Sequence, residues 1–139
     1  MTKFEAEEIA DLINNRNQLT KKYSYEEILS NSENFVYLKE ENKIVACAES
    51  KKVQWYQFEI LHVSIAQDFE GKGFGNLILN LAEKNAIEKN AKILQCTIRT
   101  NNDNSIRLFT RKGYKQVNSF FNNKSGNWIF IYQKTIANK

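Results

Sequence analysis

Three glycines in five residues, Gly71, Gly73 and Gly75, stand between the apolar run Phe58–Ile65 and a stretch of helical periodicity, in the segment Phe69, Glu70, Gly71, Lys72, Gly73, Phe74, Gly75, Asn76. A strand that passes straight into a helix leaves free backbone N–H groups and the positive end of the helix dipole at the junction, which suits an anion. Glycine there allows a ligand oxygen to approach the main chain and allows the turn to take positive φ. By geometry this is a phosphate seat. A Walker loop requires Lys followed by Ser or Thr after the last glycine, and a dinucleotide fingerprint requires glycine or alanine where Asn76 stands, so neither nucleotide motif fits.

Other reactive side chains are sparse. His62 is the only histidine, and Cys47 and Cys96 are the only cysteines, far apart in sequence, so a zinc cluster, a CxxC redox pair and a disulfide framework all lack their parts. Both thiols are expected to be buried packing residues. With no second histidine and no acid partner visible in the sequence, a serine-type triad has no foundation.

The glycine segment must be held by the elements around it. The run from Phe58 to Ile65 reads as a strand, with Glu59, Leu61, Val63 and Ile65 on one face and Ile60, His62 and Ser64 on the other. After the glycines, Phe74, Leu77, Ile78, Leu81 and Ala82 recur at i, i+3, i+4, i+7 and i+8, which predicts a helix burying one face and ending near Asn90. Ile93 to Thr100 alternates as another strand. Asn101 to Asn104 then offer N-cap chemistry to a helix whose Ile106, Leu108 and Phe109 face inward and which ends at Lys112 and Gly113, glycine taking the left-handed position. Upstream, Glu5–Leu19 and Tyr25–Leu29 suit helices, and Phe35–Leu38 and Ile44–Ala48 suit a hairpin, followed by a connector from Lys51 to Gln57. Tyr114–Phe121 and Trp128–Tyr132 form a terminal aromatic hairpin around Asn122–Asn127.

A chain of 139 residues is the size of one domain with one core, and 42% hydrophobic and 26% charged residues are ordinary for a folded protein. No apolar stretch is long enough to cross a bilayer, and Met1 to Glu5 lacks the apolar region of a signal peptide, so a cytoplasmic protein without membrane contact is expected. The net charge of +4 could help to hold a phosphate-bearing partner. Its basic residues are dispersed among acids, which argues against nucleic-acid binding.

On these residues the chain resembles the GNAT superfamily of acetyl-CoA-dependent N-acetyltransferases. Glu70, Gly73 and Gly75 occupy the places of its pattern of Gln or Arg, two residues, Gly, one residue, then Gly or Ala. Asn102, Ser105, Leu108, Phe109, Gly113 and Tyr114 match its second element, an Asn before a short helix ending in a Gly-aromatic pair. The resemblance implies one α+β domain over residues 1–139. Its central sheet is mixed and mostly antiparallel, flanked by helices and splayed at the two central strands. It further implies acetyl-CoA as co-substrate. The main chain of Gly71, Lys72, Gly73, Phe74, Gly75 and Asn76 would take the pyrophosphate, and that of Val63, Ser64 and Ile65 would pair with the pantetheine arm. Asn102 and Phe109 would complete the cofactor site. No metal is implied.

Three departures matter. Glu70 replaces the usual Gln or Arg and would repel a pyrophosphate, a repulsion Lys72 could offset. Phe109 stands where many members have a Tyr that protonates the leaving thiolate. No room for a strand exists before the first helix, so the sheet could be one strand short.

The amine must also lose a proton before it attacks. A lysine-like amine with pKa about 10.4 is neutral in about one molecule in 2500 at pH 7. Glu59 resembles in position the glutamate base of the histone-acetylating branch and is the expected catalytic base; the rival reading is a solvated strand-edge carboxylate. In a regular strand His62 lies on the opposite face, unsuited to that role unless a bulge turns it. The expected partner is an amine acceptor, either a small molecule or a peptide, and the β-rich C-terminal region could form a homodimer edge. The alternative to an enzyme is a non-catalytic acyl-CoA-binding or protein-interaction domain.

Overall fold

Helix α1 (Lys3–Arg16) begins with a capping box in which the Glu5 amide donates to Thr2 Oγ1 at 3.1 Å and the Thr2 amide donates to Glu5 Oε1 at 2.8 Å. The computed structural model describes residues 1–17, 19 and 21–136. The helix stops short of the predicted Leu19 because Asn17 turns extended and both its amide and its Nδ2 donate to the Ile13 carbonyl, at 3.1 and 2.9 Å; Gln18 of the predicted stretch lies outside the described residues. Helix α2 (Tyr25–Ser30), capped by Ser24, packs with α1 and brings Ile28 onto Ile9 and Ile13.

Six strands form one sheet: β1 (Phe35–Glu40), β2 (Lys43–Lys52), β3 (Gln57–Ile65), β4 (Ile93–Arg99), β5 (Lys115–Asn122) and β6 (Asn127–Thr135), in the order β1-β2-β3-β4-β6-β5. Every neighbouring pair is antiparallel except the central β3–β4 pair. Strand β2 runs further than predicted, since Lys51 and Lys52 pair with Glu59 and Phe58, and the connector shrinks to residues 53–56. Among the described residues α1 is the first element and no strand precedes it.

Helix α3 (Phe74–Glu88) crosses one face of the sheet, and Ile78, Leu79, Ala82 and Ala86 on its buried face meet Ala46, Ala48, Phe58, Ile60 and Leu94. A fully buried Leu or Ile of this kind contributes roughly 1.5–3 kcal/mol. Helix α4 (Asp103–Arg111) adds Phe109 to the same core and ends at Gly113, whose φ is +93°. On the other face, α1 and α2 cover Phe35, Ile44 and Cys47. Cys47 and Cys96 are free and buried, and burial pushes the Cys47 thiol up to about 12. No helix among the described residues is long and apolar enough to cross a membrane.

Candidate active site

The two central strands part company. Parallel pairing joins Gln57 to Ile93, Phe58 to Leu94 and Glu59 to Gln95, and stops there. Beyond that apex, the β3 edge that faces β4 has no strand partner, and a cavity of about 200 Å³ opens between Ile60–Val63 on one wall and Cys96–Arg99 on the other. Asn17, Asn102, Ser105, Phe109 and Ile129 complete its lining.

At the far end of β3 the chain passes through a short 3₁₀ turn, Gln67–Phe69, into the glycine loop. Gly71 and Gly73 have φ of +75° and +87°, and Gly73 is the N-cap of α3 in the left-handed conformation, where a side chain would be strained. The Leu77 amide makes the first helical bond, to the Gly73 carbonyl at 3.3 Å, so the amides of Phe74, Gly75 and Asn76 have no acceptor within the helix. A Cβ on Gly71 or Gly73 would meet nothing within 4 Å, so the loop is an open cradle rather than a packed turn. Such a cradle of amides fits a diphosphate. Glu70, at the start of this loop, pairs with Arg16 at the end of α1. Arg16, and not Lys72, therefore neutralises Glu70; the Lys72 ammonium lies 5.3 Å from the Phe69 ring centroid.

Strand β3 is not regular. Cys47 faces Ser64 and Glu49 faces Leu61, so His62 and Val63 together oppose the single residue Ala48, and His62 takes φ +53°. This bulge overturns the alternation expected from the sequence. Val63 and Ile65 move to the face of Phe58 and Ile60 and pack in the α3 core, while Ser64 turns toward α1, its Oγ accepting from Asn17 Nδ2 at 2.8 Å. His62 joins the α1–α2 side, with its Nε2 2.9 Å from the Tyr23 hydroxyl. That hydroxyl donates to Glu49 Oε1 at 3.1 Å. Burial lowers the His62 pKa below its usual value and raises that of Glu49. Burial, then the Glu49 carboxylate, push the Tyr23 phenol well above its usual range.

Glu59 lies at the apex, on the face opposite Phe58 and Ile60. Its Oε1 accepts from Gln95 Nε2 at 3.2 Å, and Gln95 Oε1 accepts from Gln133 Nε2 at 2.7 Å, a chain of amides across β6, β4 and β3. Burial raises its carboxyl pKa, against the lowering effect of Gln95. Of the residues expected in the site, Val63, Asn102 and Phe109 line the cavity, the glycine loop follows from the end of β3, and Glu59 sits just outside the lining at the closed end.

Asn102 caps α4, its Oδ1 accepting from the Ser105 amide at 3.3 Å. Phe109 meets Tyr114 edge to face at 5.0 Å. The Tyr114 hydroxyl cannot stand in for a missing tyrosine at 109, because it donates to Glu83 Oε2 at 2.7 Å and lies buried beneath Lys134. Tyr23 and Glu49 carry no motif and were not singled out by the sequence. Their link to His62 is visible only once the bulge turns the ring.

An acetyltransferase (GNAT) family model matches residues 3–114, most of the chain, and the protein belongs to that family. No curated protein sequence matches it. Among solved structures, the Ard1 of Thermoplasma volcanium superposes with a TM-score of 0.83 at 18% identity, over 99% of this chain and 95% of that one. The putative acetyltransferase yncA of Salmonella typhimurium, solved with acetyl-CoA, gives 0.84 at 15% identity, over 100% and 92%. A ribosomal-protein-alanine N-acetyltransferase of Brucella melitensis gives 0.81 at 18% identity, over 98% and 97%. At these identities the likeness is one of fold, a mostly antiparallel sheet flanked by helices.

Proposed function

We propose that the protein transfers an acetyl group from acetyl-CoA to a primary amine, by direct attack of the amine on the thioester while both substrates are bound. The observation that carries this reading is the wedge between β3 and β4 with the unbonded amides of α3 beyond its β3 wall. Amides from Gly71 to Asn76 hold the pyrophosphate. The unpaired edge of Val63 to Ile65 receives the strand-like pantetheine arm, and Asn102 adds a contact while keeping its role as a cap. A main-chain donor on the β3 wall stabilises the charge that gathers on the carbonyl oxygen.

Glu59 takes the first proton from the ammonium. Its elevated pKa makes it a stronger base than an exposed glutamate, and Gln95 fixes its orientation. The amine arrives from the α1–α2 side, with peptides and small amines both open as acceptors. The sheet edge at β5, where Val117, Phe120 and Phe121 are exposed, is where a second copy would pair.

Release of free CoA from acetyl-CoA with a panel of amines and peptides tests the reading. Glu59→Gln is expected to lower kcat/KM at least 100-fold while the Kd for CoA stays within about twofold. Tight CoA binding without turnover of any acceptor would instead mark a non-catalytic binding domain.

A further inference from the structure

Acylation of an ammonium by a thioester releases two protons from nitrogen. One leaves before attack and one after the new C–N bond forms; the departing thiolate recovers one of them, and the other goes to solvent. Glu59 can hold only one at a time. A second group at the cleft is therefore useful, and the surroundings of His62 supply one.

His62 lines the cavity beside Val63, and its ring is fixed rather than free. The Tyr23 ring packs against it at a centroid distance of 4.9 Å, nearly perpendicular at 77°. The single phenolic proton of Tyr23 is donated to Glu49 Oε1. The contact between the Tyr23 oxygen and His62 Nε2 then needs a proton from the ring, which assigns it to Nε2 and leaves Nδ1 as the lone-pair acceptor. A carboxylate, a phenol and an imidazole thus form one chain, drawn from β2, the α1–α2 connector and the bulge of β3. Tyr23 and Glu49 also line a second cavity of about 170 Å³, together with Glu27 and Lys51, so the chain leads from the cleft to a separate opening.

We propose that His62, oriented by Tyr23 and Glu49, takes the second proton from the acceptor nitrogen on Nδ1 and returns it to the departing thiolate. This rests on the acetyl-transfer reading above. The balance is complete: an ammonium and an acetyl thioester give an N-acetyl amide, a free thiol and the one proton carried off by Glu59. The C–N bond forms, the C–S bond breaks, and His62 ends neutral as it began. Tyr23 and Glu49 are positioning residues. Among charged groups, Arg99 on the β4 wall lines the same cavity as this ring, Glu49 on β2 reaches it through Tyr23, and Glu27 of α2 acts on Tyr23. Burial keeps the imidazole neutral to lower pH than usual, which suits a group that must accept before it donates.

Because His62 is the only histidine, its ring nitrogens can be followed by NMR without ambiguity. The parent should show the Nε2–H tautomer, and Tyr23→Phe should shift it toward a mixture. His62→Gly suits the bulge, since glycine takes a φ of +53° without strain. This variant should lose at least 100-fold in kcat, keep its Kd for CoA, and regain part of the rate with added imidazole. An Nδ1–H tautomer in the parent, a His62→Gly rate within twofold of the parent, or a loss that imidazole does not restore would overturn the proposal. Failure of the parent to turn over any amine would instead overturn the acetyl-transfer reading, and the NMR result stands apart from it.

Discussion

Glu70 stands where the family's pattern has Gln or Arg, and the structure gives its carboxylate a cationic partner. Its carboxylate pairs with Arg16, both partly exposed, so the pair itself is worth about 1 kcal/mol or less. Glu70→Gln removes a negative charge near the phosphate seat and releases Arg16. We predict a modestly tighter Kd for CoA by calorimetry, with little change in stability; an unchanged or weaker Kd would show that Glu70 does not face the phosphates. His62 carries a second prediction at this scale. Its folded pKa is depressed, so through that range the unfolded chain binds more protons than the native one. Its contribution to stability is full above the unfolded value near 6.5 and is lost as pH falls through that value toward the folded pKa. Glu49 and Glu59, whose pKa values are raised, act with the opposite sign, being most favourable to the fold below their unfolded values and less so as pH rises. The difference between parent and His62→Gln urea-unfolding curves isolates the imidazole. It should show the parent losing more stability than the variant between about pH 7 and 5; parallel curves would contradict the burial seen here.

At the scale of elements, helix α3 serves two ends. Its buried face carries the core, and its first turn carries the proposed phosphate seat, so the two can be separated by substitution. A Cβ on Gly75 would come 3.6 Å from Leu108 Cδ2, an ordinary contact, and glycine weakens a helix relative to alanine. Gly75→Ala is therefore predicted to leave the melting temperature unchanged or slightly raised while weakening CoA about 10-fold or more, because under the proposed reading the added methyl would crowd a phosphate held by these amides. Leu79→Ala tests the opposite face: it should cost about 2–5 kcal/mol in urea unfolding. The strand, loop and helix around the glycines were legible in the sequence because glycine, capping residues and helical periodicity all leave local marks. Asn102 as the α4 cap and Gly113 as its stop were readable for the same reason. The β3 bulge was not. A bulge adds no residue type of its own, and here the positive φ falls on a histidine rather than a glycine, so alternation assigned Val63, Ile65 and Glu59 to one face when the chain places them on two.

Over the whole chain, the order of elements followed from periodicity, glycines and capping residues, while the split sheet was implied only by the resemblance to the acetyltransferase family that the two motifs carry. Contacts between distant parts did not. Tyr23 reaches His62 across 39 positions and Glu49 across 26, and Arg16 reaches Glu70 across 54, each through side chains that look like ordinary surface polar residues when read in line. Each bond depends on α1 and α2 packing over β2 and β3, which no local pattern specifies. If amides from Gly71 to Asn76 grip a diphosphate beyond the β3 wall, an amide-resolved NMR titration with CoA will register it residue by residue. Saturable shifts are expected at Gly71, Gly73, Gly75 and Asn76, accompanied by shifts at Val63 to Ile65. Saturable binding that leaves the loop amides unmoved, or no binding at millimolar CoA, would contradict it.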